Sequence, residues 1–152
     1  AHALSLICRG NGHVKTFFSV GQHCIHCALE AEARGYGSRI ALACLLHDAS
    51  EAYMSDVPRP FKQHLSDYIS HEKTLLDIVY TKYLGSRLDE EEEKKVKEID
   101  DDMLYYDLKI LLRGDSEEAP PIMKTHFSYE VLPFEAVEKR YLELFERYSR
   151  EL

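Results

Sequence analysis

No apolar run in this chain approaches the roughly 20 residues that a membrane-spanning helix requires. No stretch alternates apolar and polar residues for long enough to argue for a sheet. A charged-then-apolar leader with a small-residue cleavage site is missing, so secretion is not suggested and the cytoplasm is the expected location. Clusters of Lys and Arg are missing too. The chain carries 19 basic and 27 acidic residues, a net charge of −8. Affinity for a phosphate backbone comes from clustered cations, so no nucleic-acid polymer is expected as a partner. A small phosphorylated ligand stays open, because a bound metal can supply positive charge locally. There is no internal repeat. Cys8, Cys24, Cys27 and Cys44 lack the secretory context of a disulfide framework and are expected to be reduced and buried.

What is present reads as one soluble all-α domain over residues 1–152, a compact bundle of about six helices. A first helix is expected over about 2–8, ending at "RGNG". The second opens on a capping box, Ser19 with Gln22, and runs to about Arg34, where Gly35 stops it. The third, "SRIALACLLHDASEAY", starts at Ser38 and is apolar on nearly every side as far as His47, which marks a central, buried helix. The two prolines of "MSDVPRPFK" must break it. Further helices are expected over 66–84, stopped by Gly85, over 89–113, opened by Asp89 with Glu92 and stopped by Gly114, and over 134–150. Residues 114–133, with Pro120, Pro121 and Pro133, form a long loop of the kind that serves as a lid or binding segment, or is otherwise mobile. The "RGD" at 113–115 is read as coincidence.

Chemistry concentrates in two places. In "CLLHDASEAYMSD", 44–56, His47 and Asp48 sit side by side near the end of the most apolar helix, and Glu51 follows His47 by one turn on the same face. Buried acids need compensation by a cation or a hydrogen-bond network, and a metal compensates several at once. In "VKEIDDDMLYYDLKILL", 96–112, helix geometry separates three consecutive aspartates. At ~100° per residue from Val96, Met103, Ile110 and Leu111 mark an apolar stripe at ~−20°, ~−40° and ~60°. Asp100 at ~40° and Asp107 at ~20° fall inside it, whereas Asp101 and Asp102 point away and are expected to be solvated. Asp100 is therefore an acid on a core face.

A His in a capped helix, an HD pair in a buried helix and a core-facing Asp about 50 residues later resemble the HD-domain superfamily of metal-dependent phosphohydrolases. The closer likeness is to its bacterial 5′-nucleotidase branch, whose HD helix and turn run H-D-A-S-E…G-D-x-P-x-P. The corresponding text, "HDASEAYMSDVPRPFK", agrees at His47, Asp48, Ala49, Ser50, Glu51, Asp56, Pro58, Pro60 and Lys62, with a serine in place of the glycine before Asp56. The family's V-K-x-A-D is similar to "VKEID" and its S-x-x-x-H to the segment ending at His23. The likeness covers residues 2–112. It implies an HD-domain bundle holding one divalent ion (Mn, Co, Fe or Mg) through His23, His47, Asp48 and Asp100. It also implies proton transfer by Glu51 and positioning of nucleophile and sugar by Asp56. The implied substrate is a small phosphate monoester, a nucleoside 5′-monophosphate, and the implied assembly a homodimer.

The family's Arg-Trp pair is represented only by Arg9, which is followed by Gly10 in a chain without tryptophan. A phosphate role is therefore carried to Arg9, with Lys62, Arg59 or His13 as helpers, and the sugar preference is not carried over. Other readings are a non-catalytic nucleotide- or metal-binding module, or a two-metal oxygenase or phosphodiesterase using His64 and His71. "HCIHC", 23–27, then divides into one ligand, His23, two cysteines expected as small apolar core residues, and His26 on a polar face or interface. Tyr105, Tyr106 and the C-terminal helix are read as core or dimer surface.

Overall fold

The computed structural model describes residues 1–112, 114 and 119–152. Of the "RGD" at 113–115, only Gly114 lies among them. The fold is all-α, and no strand occurs among the described residues. The six expected helices are all present: α1 (His2–Leu6), α2 (Val20–Ala33), α3 (Gly37–Leu46), α6 (Ser66–Leu84), α7 (Glu90–Leu111) and α8 (Phe134–Arg150). Two single-turn helices, α4 (Glu51–Met54) and α5 (Arg59–Lys62), bring the α-helices among the described residues to eight. Pro60 in the first turn of α5 explains why that proline-rich stretch still turns, since the missing N–H falls where no helical partner exists.

Both sequence-read capping boxes form. Ser19 Oγ accepts the Gln22 N–H at 3.1 Å, and Asp89 Oδ1 accepts the Glu92 N–H at 2.9 Å. α2 and α3 pack as the central pair, with α7 and α8 laid across both and α6 against α3. Leu42, Ala43, Cys44 and Leu45 are wholly buried, as expected of the central helix.

Three boundaries differ from the sequence reading. α1 ends at Leu6, and "RGNG" is itself a turn in which Gly10 (φ 60°) and Asn11 (φ 52°) are left-handed. That turn is fastened by Arg9 N–H to the Phe18 carbonyl at 2.8 Å and by Lys15 N–H to Leu111 at 2.9 Å. α7 ends at Leu111, two residues early. The most consequential break is in the third helix, which stops at Leu46 before a turn at 47–50. The cause lies in side chains: the His47 ring takes the Cys44 carbonyl at 2.6 Å, and the Tyr141 hydroxyl of α8 takes the Leu45 carbonyl at 2.5 Å. With its last carbonyls satisfied from outside, the helix can end there.

Candidate metal centre

The end of α3 faces α2 and α7, and this brings together the residues that the sequence singled out. His23 Nε2 lies 3.3 Å from His47 Nε2, 3.1 Å from Asp100 Oδ1 and 3.8 Å from Asp48 Oδ2. His47 Nε2 lies 3.3 Å from Asp48 Oδ2 and 3.5 Å from Asp100 Oδ1. The partners of the opposite ring nitrogens fix the tautomers. His47 Nδ1 must donate to the Cys44 carbonyl, which can only accept. His23 Nδ1 is 2.9 Å from Asp107 Oδ2, and Asp107 is held ionised at about 2, so there too the ring donates. With Nδ1 donating in each ring, Nε2 is the atom left for a metal or a proton, and the two Nε2 atoms converge on one point alongside two aspartate oxygens.

Donor–donor separations of this size suit metal–ligand bonds of roughly 2.0–2.2 Å, and two imidazoles with two carboxylates suit a first-row divalent ion. The residues could therefore hold a metal ion. Electrostatics agree. Burial and Arg9 oppose a charge on His23, but Cys27, Asp107 and the bond to Asp100 outweigh them and raise its pKa well above the ordinary value. His47 is raised likewise against burial, chiefly by Asp48. Burial would raise Asp100, yet its bonds to both histidines carry it well below the carboxylate range. The cluster attracts positive charge to the point where the two Nε2 atoms meet.

Asp107 is the residue that the sequence reading passed over. It is 4 % exposed, one carboxylate oxygen accepting from His23 and from Arg9 Nη2 at 3.2 Å, the other from the Tyr129 hydroxyl at 2.9 Å. Burial opposes its ionisation, and His23, Arg9 and Tyr129 together overcome that. The signal was available, because Asp107 sits nearer the centre of the helical stripe than Asp100 does. Tyr129 had none in the helical patterning.

Glu51 is buried three residues beyond Asp48, its Oε2 without a hydrogen-bond partner among the described residues. Burial, then the charges of Asp48 and Asp56, push its carboxyl up to about 9. Arg9 is drawn in between Asp107 and Asp48, with Nη1 3.4 Å from Asp48 Oδ2. Asp56 does not point at an open space: its Oδ2 accepts the Gly10 N–H at 2.6 Å and so anchors the turn that carries Arg9. Of the candidate helpers, Arg59 reaches the centre, with Nη2 2.5 Å from Asp100 Oδ2 and Nη1 2.6 Å from Asp101. Lys62 is instead engaged by Glu72 of α6 at 2.5 Å. His13, His64 and His71 are exposed, and none belongs to a metal-capable group of described residues.

Three readings of the neighbouring residues need correction. Cys24 and Cys27 are buried, but they are more than apolar filler. Cys27 Sγ is 3.5 Å from His23 Nε2, and the Cys24 thiol is in hydrogen-bond contact with the His47 ring, so soft donors border the oxygen and nitrogen set. His26 is not on a polar face. Its ring lies among Phe18, Phe127 and Tyr129, and burial lowers its pKa to about 4. Asp102 is likewise not merely solvated, since Arg34 Nη2 donates to it at 2.7 Å.

Compared with known proteins, the chain matches no family model. It is similar to a curated relative from Escherichia coli (strain K12), the uncharacterized protein YfdR, with 39% identity over 83 residues. The match takes in 55% of this chain and 44% of the relative, so the chain spans less than half of that protein's length.

Proposed function

We propose that the chain is an HD-type, metal-dependent phosphohydrolase that releases phosphate from a small phosphate monoester, a nucleoside 5′-monophosphate. The observation that carries this reading is the convergence of His23 and His47, from α2 and the end of α3, with aspartates from the α3 end and α7: each Nε2 lies 3.1–3.8 Å from the other and from both an Asp48 and an Asp100 oxygen. His23, His47, Asp48 and Asp100 would hold one divalent ion. When bound, such an ion supplies Lewis acidity toward the phosphoryl group and lowers the pKa of water.

The protein's own part follows from the open side of the site. Glu51, whose carboxyl is pushed up to about 9 by burial and by Asp48 and Asp56, would hand its proton to the departing ester oxygen, as a general acid does. Arg9 is kept beside the metal ligands by Asp107 and by the Asp56-anchored turn, where it orients an incoming phosphate. Arg59, about half exposed at Asp100, is the second cation at the mouth. Asp56 therefore works on the substrate through the position of Arg9.

Phosphate release should be measured over a panel of nucleoside mono-, di- and triphosphates with Mn²⁺ or Co²⁺. His47→Ala, Asp48→Ala and Asp100→Ala are expected to lose both the bound ion and the activity. Failure of the metal-loaded protein to release phosphate from every member of the panel would overturn the proposal. Glu51→Gln separates an enzyme from a binding module: it should keep nucleotide affinity and lose about 10²–10⁴-fold in turnover.

A further inference from the structure

The segment between α7 and α8 reads in sequence as a lid or a mobile loop, yet its geometry is that of an extended strap. Along 121–130 the side chains alternate: Pro121, Met123, Thr125, Phe127 and Tyr129 are partly buried, and the residues between them are exposed. A period of two is the signature of extended backbone, here with no partner strand among the described residues. The strap is pinned along its length. The Tyr106 hydroxyl of α7 donates to the Pro121 carbonyl at 2.7 Å. The wholly buried Glu30 carboxylate of α2 accepts the N–H groups of Lys124 and Thr125 and the Thr125 hydroxyl, at 2.8–3.2 Å. Gln22 Nε2 donates to the Glu130 carbonyl at 3.2 Å.

The Tyr129 end of the strap lies behind His23, on its Nδ1 side and not on the Nε2 side that meets the other candidate ligands. Its inward Tyr129 stacks on Phe18, with ring centroids 5.1 Å apart, and donates to Asp107, which in turn accepts from His23 Nδ1. Hydrogen-bonding partners one step behind a ligand set its orientation and basicity.

We propose that this strap is a fixed buttress of the centre and that Tyr129 is a positioning residue, tuning metal affinity through Asp107 and His23. The inference rests on the metal-centre reading and adds to it a part of the chain that carries none of the resemblance. Tyr129 contributes one hydrogen bond and keeps its ring packing in Tyr129→Phe, so the substitution isolates the hydroxyl.

Isothermal titration with Mn²⁺ and with Co²⁺ tests this on the intact chain. Asp107→Asn should weaken the ion by about 10–100-fold, and Tyr129→Phe by about fivefold, as expected for the loss of one net hydrogen bond. Thr125→Val removes one of the bonds that hold the same strap to Glu30 without touching Asp107, and should stay within about twofold while lowering thermal stability. In an Asp107→Ala background, Tyr129→Phe should have no further effect, because the carboxylate through which it reaches His23 is gone. Equal affinities for wild type and Tyr129→Phe would overturn the proposal. So would equal losses in Tyr129→Phe and Thr125→Val, or additive losses in the double variant. If wild type binds neither ion, the metal-centre reading fails and takes this one with it; if wild type binds one ion per chain, only the buttress is at stake.

Discussion

The two sides of the centre are built to opposite rules. Behind His23, polar groups close on one another: Asp107 is met by His23, Arg9 and Tyr129, and Glu30 by Arg34, Lys124 and Thr125. In front, Ser50 Oγ and Glu51 Oε2 lack partners among the described residues, and the chain passes through the left-handed backbone of Gly10, Asn11 and Ser55. A satisfied network holds a ligand still, and unsatisfied groups are those left over for a reaction partner. His26 Nδ1 is the exception at the back, buried and without a partner among the described residues; elsewhere rigidity lies behind the site and reactivity before it.

The sharpest way to break that contrast is to open the satisfied side. Glu30→Ala leaves Arg34 Nε and three donors of the strap without their acceptor in a buried place, and should cost about 3–5 kcal/mol in urea unfolding. An ion-pair loss of under 1 kcal/mol would show that the back of the site is no firmer than the surface.

A second effect is acid sensitivity behind the centre. His26 is neutral in the folded chain down to about pH 4, through burial, whereas an unfolded histidine binds its proton near pH 6.5. The unfolded state therefore holds more protons between these values, and stability rises with pH there. The contribution is complete above about pH 6.5 and falls by about 3 kcal/mol as the pH drops to 4. Relative to His26→Leu, wild type should lose that amount across the window, read from unfolding midpoints at fixed pH. A pH-independent difference would mean that the ring takes up its proton in place.

The smallest effect is expected in front. Ser55 has φ 67° and ψ 162°, a region that glycine enters freely and other residues enter under strain. Its carbonyl is held by the Tyr68 hydroxyl at 2.7 Å. Ser55→Gly should stabilise by about 1 kcal/mol after allowing for the greater freedom of glycine when unfolded. No gain in thermal midpoint would show that the turn before Asp56 is relaxed.

Legibility in the sequence followed the range of the forces involved. Capping boxes are decided within four residues, so Ser19 with Gln22 and Asp89 with Glu92 could be read directly. Helical periodicity placed Asp100 on a core face, and placed Asp107 deeper still, though a search for metal ligands has no use for a carboxylate one step behind them. The break after Leu46 was out of reach, because it depends partly on Tyr141, 96 residues from the carbonyl that it takes. The strap was hidden for another reason. Thr125 and Pro121 are not apolar enough for the alternation to be heard in composition, and hydrogen bonds to α2 and α7 do the work that a neighbouring strand would do.

Those long connections give the centre a history as well as a place. His23 waits 77 residues for Asp100, 84 for Asp107, and longer for Tyr129. A chain emerging from its N-terminus has its first histidine, and even its HD pair, long before anything exists to hold them in register. Closing such distant contacts comes late in folding, after the local helices. The site is therefore among the last things the molecule acquires, and a nascent chain cut short of residue 129 lacks the hydroxyl that braces Asp107.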